Sequence, residues 1–198
     1  MTQKARLLWS SNAPWANSGY GIQGRSLLWR LANLPVFGSK EAIGIFAWYG
    51  LAGAIHTVDG FRCYPSGNDP YGNDVIGRHA KHHGSSIVAS LIDVWVCKDV
   101  AKSIYPALWI PYLPIDHDPI PQRVLDSLQG AHLPVTYSKW GHDMLTRAGV
   151  KNEYVAHGVE PSIYRVLPRE PILQFKRQLT GPLPHPPRRS MRIRINLA

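Results

Sequence analysis

Cysteine is nearly absent: Cys63 and Cys97 are the two among 198 residues. That excludes a disulfide framework, and their spacing fits no zinc site, so two free thiols in a reducing compartment are expected. Long apolar runs are missing too. No stretch of about eighteen apolar residues occurs, so no transmembrane helix is expected. The opening Met1-Thr2-Gln3-Lys4-Ala5-Arg6 lacks the apolar region and cleavage site of a signal peptide, which makes a cytoplasmic location the expectation. No repeat of solenoid type is present. Acidic residues are scarce, thirteen against twenty-two Lys and Arg, for a formal charge of +9. The excess is uneven: residues 1–168 carry a net +3, and residues 169–198 a net +6, with Arg188, Arg189, Arg192 and Arg194 clustered near the end. Such a tail can attract nucleic acid or acidic membranes through phosphates without reading sequence. A solvated terminus is the simpler account, and nucleic acid is not the expected partner.

What the chain does have is a 44% hydrophobic composition, enough to bury a core. Strand-like and helix-like runs alternate, the pattern of βαβ units and a mainly parallel sheet. Strands are expected at residues 5–10, 41–48, 61–64, 86–92, 108–115, 132–137 and 153–156. Pro111 and Pro114 make the 108–115 strand irregular or place it at an edge. Helices are expected at residues 20–34 and 73–83. A third opens with Asp118 as cap and Pro119 as first residue, carries Ile120, Val124, Leu125 and Leu128, and closes at Gly130. A fourth is capped by Ser138, carries Trp140, Met144, Leu145 and Ala148, and closes at Gly149. Beyond about residue 163 prolines crowd the chain. We divide it into an α/β domain, residues 1–165, and an irregular Pro/Arg-rich basic tail, residues 166–198, holding one helix-like stretch at 172–179.

In parallel α/β sheets ligands bind beyond the carboxyl ends of the strands. Polar groups gather there from five strands distant in sequence: residues 10–21, Asp93-Val94-Trp95, Asp116-His117-Asp118, Ser138 and His157-Gly158. After the first strand, Ser10-Ser11-Asn12 and the turn Gly19-Tyr20-Gly21 lead into a helix, where backbone N–H groups and the dipole favour an anion. Gly19 and Gly21 would permit positive φ or a close approach to a phosphate; an ordinary strand-to-helix connection reads the same way. Asp116 and His117 form the best catalytic pair, an imidazole near neutral pKa oriented by a carboxylate. The alternative makes Asp118 a helix cap and His117 a turn residue. Asp93 is a second candidate base, or a strand-end carboxylate held by backbone amides. His79, His82 and His83 lack a completing ligand and read as a solvated helix end, so no metal is expected. Trp15, Trp48, Tyr49, Tyr71, Trp95 and Tyr112 offer faces for sugar rings, or pack in the core. Asn68, Asp69, Asn73 and Asp74 add groups suited to a polyhydroxy ligand.

The ordered set Ser11-Asn12-Ala13-Pro14-Trp15, Gly19-Tyr20-Gly21, Tyr71-Gly72-Asn73-Asp74, Asp93-Val94-Trp95, Pro114-Ile115-Asp116-His117, Tyr137-Ser138-Lys139-Trp140-Gly141 and His157-Gly158-Val159-Glu160 resembles a known pattern. It is similar to the N-terminal half of two-Rossmann (GT-B) glycosyltransferases, in particular the large retaining group 1, or family 4-like, class. The likeness covers roughly residues 5–168. It implies a Rossmann-like domain on the acceptor side of a cleft, with a nucleotide sugar and a hydroxyl acceptor as substrates and no further cofactor. It assigns Gly19, Tyr20 and Gly21 to the donor phosphate or sugar, His117 with Asp116 to the reacting sugar, and Asp93, Trp95 and Trp15 to the acceptor. His157 and Gly158 match the segment leading to the interdomain crossover, where many relatives have Asn-Gly-Val. The likeness stops near Leu183-Pro184, before any donor domain, so the chain reads as a truncated half or one that depends on a partner for the other half. A non-catalytic glycan- or protein-binding module is the alternative, and nucleic-acid binding through the Arg tail a third.

Overall fold

A computed structural model describes residues 5–164, together with Val166 and Gln178. The chain divides into two units, Met1–Gly158 and Val159–Ala198. In the second unit the described residues form a turn at Glu160, whose backbone carbonyl accepts from the Ile163 and Tyr164 amides. The 172–179 helix and the Arg cluster lie outside the described residues.

The first unit is an α/β sandwich on an eight-stranded sheet: β1 (Leu7–Asn12), β2 (Ile43–Tyr49), β3 (His56–Val58), β4 (Phe61–Tyr64), β5 (Ile87–Leu91), β6 (Leu108–Leu113), β7 (Val135–Thr136) and β8 (Glu153–Tyr154). Their spatial order is β3-β4-β2-β1-β5-β6-β7-β8, parallel throughout except for the β3–β4 hairpin. The order runs outward from β1 in both directions, as in doubly wound Rossmann-like sheets. Five helices accompany it: α1 (Gly19–Ala32), α2 (Ile76–His83), α3 (Val100–Ser103), α4 (Gln122–Ser127) and α5 (Lys139–Arg147). None is long and apolar enough to cross a membrane among the described residues.

Every residue of β1 is buried, as a central strand covered on both faces requires. One face holds Leu8, Phe46, Val88, Trp109 and Leu113 with residues of α2, α3 and α5. The other holds Leu7, Trp9, Ile43, Ile45 and Leu28 of α1. The two halves of that second face differ. Along β6 and β7, and along β5 as far as Ser90, the residues alternate between buried (Val88, Ser90, Trp109, Pro111, Leu113, Thr136) and partly exposed (Ile87, Ala89, Ile110, Tyr112, Val135), while Leu91 at the end of β5 is buried among the residues of that second face. Alternate residues point to opposite faces, so one face of this half-sheet is covered and the other is half-open, with Leu108 43% and Val155 56% exposed.

Several boundaries differ from expectation. The helix expected from Asp118 starts at Gln122, and the Asp118 side chain does not cap it. Asp118 and Ile120 each precede a proline, and the proline ring drives the preceding residue out of helical geometry. The 108–115 strand is interior despite Pro111. The Leu108 amide donates to β5 at Ser86 O, while the Trp109 carbonyl accepts from His132 on the β7 side. Alternation turns the Pro111 nitrogen to the β7 side, one residue before β7 pairs at Tyr112, so no ladder bond is lost. Ser138 caps α5 as expected, its hydroxyl accepting from the Gly141 amide at 2.9 Å. The sequence reading passed over β3 and α3.

Candidate functional site

The order reversal lies between β1 and β5, whose carboxyl ends open the crevice where such sheets bind ligands. The chain leaves β1 at Asn12 and loops back to α1. Asn12 Nδ2 donates to Ser18 Oγ at 2.7 Å, and Ser18 Oγ also accepts from the Gly21 amide at 3.1 Å, capping α1. Asn12 is 9% exposed, and its Oδ1 is buried with no partner among the described residues. An orphaned buried acceptor costs about 1–3 kcal/mol, so this oxygen is suited to a ligand hydroxyl or amide.

The two glycines at the head of α1 serve different ends. Neither has the positive φ that the sequence allowed for. A Cβ on Gly21 would meet Ala16 O at 2.5 Å and Ala13 O at 2.7 Å, so Gly21 is demanded by its own loop. A Cβ on Gly19 would meet nothing within 4 Å, leaving the first turn of α1 open to an incoming group.

Tyr20 points from that turn to Asp93 beyond β5, its hydroxyl donating to Asp93 Oδ2 at 3.3 Å. Burial drives the Tyr20 hydroxyl far above its ordinary pKa, with Tyr137 and Asp93 adding to the rise, so it stays a donor. Tyr137 follows β7, and its ring stacks on His157 with centroids 4.0 Å apart. Tyr112 closes the cluster edge-on to both rings, and its hydroxyl donates to Val155 O at 2.8 Å. Burial pushes the Tyr112 pKa up to about 12 and depresses that of His157, which is therefore neutral at pH 7. His157 Nε2 is buried and has no partner among the described residues. Gly158 O accepts from Gln23 Nε2 of α1 at 3.2 Å, tying this segment to the same crevice.

Asp93, Trp95, Asp116 and His117 line one shallow groove of about 20 Å³, roughly the room of a single water. His117 Nδ1 lies 2.6 Å from Asp116 Oδ1. An ionised carboxylate only accepts, so Nδ1 donates and Nε2 of the neutral ring is left as an acceptor. Both side chains are open to solvent, 65% and 73% exposed. Arg123 covers one face of Trp95, 5.1 Å from the ring centroid, and donates to its backbone carbonyl. Asp93 thus stands between the Tyr20–Tyr137–His157 cluster and the His117 groove.

Other expected residues are engaged elsewhere. Trp15 lies outside this groove: its Nε1 donates to Gly50 O at 2.9 Å and its ring lines a separate cavity with Trp29 and Phe61. Asp69 Oδ1 takes the Tyr71 and Asn73 amides, and Asp74 Oδ2 takes the Asn68 amide. Asn73 bonds Val96 O and the Lys98 amide. These groups are spent on building their loop. The histidine cluster is not a solvated helix end, since His83 is 3% exposed and bonds Ser85 Oγ and Glu41 O. His79 faces Pro65 O and His82 faces the Tyr64 hydroxyl. Among the described residues no three His, Cys, Asp or Glu side chains could hold a metal ion.

Sequence reasoning did not single out Asn12, Ser18 or Tyr137 as site groups. Their signal was position: Asn12 and Tyr137 stand at or just beyond the ends of β1 and β7, and Ser18 is the residue that caps α1. No protein-family model matches the chain, and no curated protein matches it.

Proposed function

We propose that this chain is the acceptor-side domain of a GT-B glycosyltransferase, acting with a second domain or chain that grips a nucleotide-sugar donor. The observation that carries the reading is the convergence at the β1–β5 reversal. An open helix turn at Gly19, an unpartnered Asn12 oxygen, a permanently protonated Tyr20 and the Asp93–His117 groove face the crevice from three connections, those that follow β1, β5 and β6. A helix N-terminus with exposed backbone amides suits a phosphate, and hydroxyl-seeking donors and acceptors suit a sugar. His117, with Nδ1 held by Asp116, would accept a proton at Nε2 from an acceptor hydroxyl or steady the reacting sugar. Such sites hold a diphosphate by dipoles and cations, so the reading requires no metal. The half-open face over β5, β6 and β7 supports the need for a second body, because exposed apolar surface of this kind marks interfaces.

Titration of the purified chain with a panel of nucleoside diphosphate sugars, followed by calorimetry, tests the reading. Saturable binding that weakens at least tenfold in Gly19→Val is the expected result. A folded sample that binds no donor would overturn the donor half-site at Gly19 and leave a non-catalytic module, or a half that awaits its partner, as the better account.

A further inference from the structure

One cavity lies apart from the switch point, between α1 and the β3–β4 hairpin, with a volume of about 170 Å³. Its walls are Trp15, Trp29, Phe61 and Leu28, with Arg25 and Asp59 also lining it. A dry cavity of about 150 Å³ lined by apolar side chains is enough to bind benzene. This one is therefore sized for a single aromatic ring.

Each ring in the wall is fixed by the protein. Trp15 is tethered through Nε1 to Gly50 O. Trp29 meets Phe61 edge-on at 5.8 Å, and Lys40 Nζ lies 3.4 Å from the centroid of the Trp29 ring. Lys40 is itself held by Asp59 O at 2.9 Å. A wall already ordered in this way loses little freedom when a ligand enters. The charges have the opposite character. Arg25 and the Asp59 carboxylate are solvent-exposed, and neither has a hydrogen-bond or ion-pair partner among the described residues. An apolar slot flanked by one free cation and one free anion is complementary to a ring that carries both charges on a short stem.

We propose that this cavity is a binding site for a zwitterionic single-ring arene, the chemistry of a free aromatic amino acid. The ring fills the slot against Trp15 and Phe61, the carboxylate meets Arg25 and the ammonium meets Asp59. The site shares no residue with the Asp93–His117 groove, so it stands whether or not the chain takes part in sugar transfer.

Two tryptophans in the wall make intrinsic fluorescence the readout, with L-phenylalanine, phenylacetate and phenethylamine as probes. L-phenylalanine should give a saturable change and bind more tightly than either probe that keeps one charge. Arg25→Gln should weaken L-phenylalanine about tenfold and leave phenethylamine unchanged, as loss of a charge-assisted bond predicts. Asp59→Asn, which tolerates the positive φ of 51° at this position, should weaken phenethylamine and spare phenylacetate. Val58 also lines the slot, and Val58→Phe should abolish binding by filling it, with circular dichroism reporting whether the fold survives. The proposal is overturned if no probe saturates. It is equally overturned if the single-charge probes match L-phenylalanine, or if both exposed-site variants bind as the parent does.

Discussion

Replacing Gly21 and Gly19 by alanine, one at a time, should have opposite effects although only Tyr20 separates them on the same helix. At Gly21 the new methyl would sit 2.5 Å and 2.7 Å from two backbone carbonyl oxygens, Ala16 O and Ala13 O. Backbone cannot rotate aside as a side-chain tip can, so residues 13–18 must shift. That shift draws Ser18 from the Gly21 amide and from Asn12 Nδ2. Overpacking of this kind costs about 1–3 kcal/mol, and loss of a helix cap about 1 kcal/mol. The better helix propensity of alanine returns about 0.5–1 kcal/mol. The net is a loss of about 2 kcal/mol, which lowers the melting temperature of a domain this size by about 4–8 °C. At Gly19 the methyl enters open space, and the same propensity term makes the variant as stable as the parent or slightly more so. Urea unfolding followed by circular dichroism measures both. Equal midpoints for the two variants, or a Gly21→Ala midpoint at or above the parent, would refute the argument that the loop is clamped onto α1.

Acid should weaken the fold through His83. Burial, helped by the charge of Arg6, lowers its pKa to about 4 in the folded chain, against an ordinary value of 6.5. The unfolded chain then takes up the proton first, so this contribution is complete above about pH 6.5 and is lost as pH falls toward 4. Its size is on the order of 2 kcal/mol. Carboxylates titrate over part of that window, so the measurement is the difference in pH slope between the parent and His83→Gln. Identical slopes would remove His83 from the account. Both thiols should resist modification in the native state. Burial raises the Cys63 pKa to about 11 and that of Cys97 to about 12, leaving almost no thiolate at pH 8. Rapid labelling of either cysteine by a disulfide reagent without denaturant would contradict that.

The alternation of strands and helices was legible because buried parallel strands are near-continuous apolar runs, as β5 is, and because β1 opens with a short apolar run that ends in small polar residues. Ser138 and Gly149 marked the ends of α5 because capping chemistry is local. The β3–β4 hairpin was missed, although Asp59-Gly60 is a two-residue hairpin signal. Asp59 at φ 51° and Gly60 at φ 84° form that turn, which joins the paired residues Val58 and Phe61. The strand before it, His56-Thr57-Val58, is too short and exposed to show a period. The site was legible in part. Strand ends located Asp93, Asp116, His117 and Gly19, because topology alone brings those ends to one rim. Trp15 was placed with them by the resemblance and by its aromatic face. The tether to Gly50 O, which turns its ring to another cavity, depends on a contact 35 residues away that no local pattern encodes.

The Asp116–His117 pair shows why this site, taken alone, is poorly placed for proton transfer. The two side chains touch at 2.6 Å while both are mostly exposed. In water the attraction between such groups is largely cancelled by solvation, so the contact by itself holds the two side chains only weakly. The same pair under a cover that excludes water would hold Nδ1 protonated and keep Nε2 free as a base. The cover has to come from outside the described residues, since the groove has room for roughly one water and no described element closes over it. Tyr20 and Tyr137 make the contrast, for burial has already raised both hydroxyls and fixed them as donors. The crevice therefore has a finished half around Tyr20, Asp93 and Tyr137, and an unfinished half around His117. A body that docks on this rim would change the chemistry of the second half far more than that of the first.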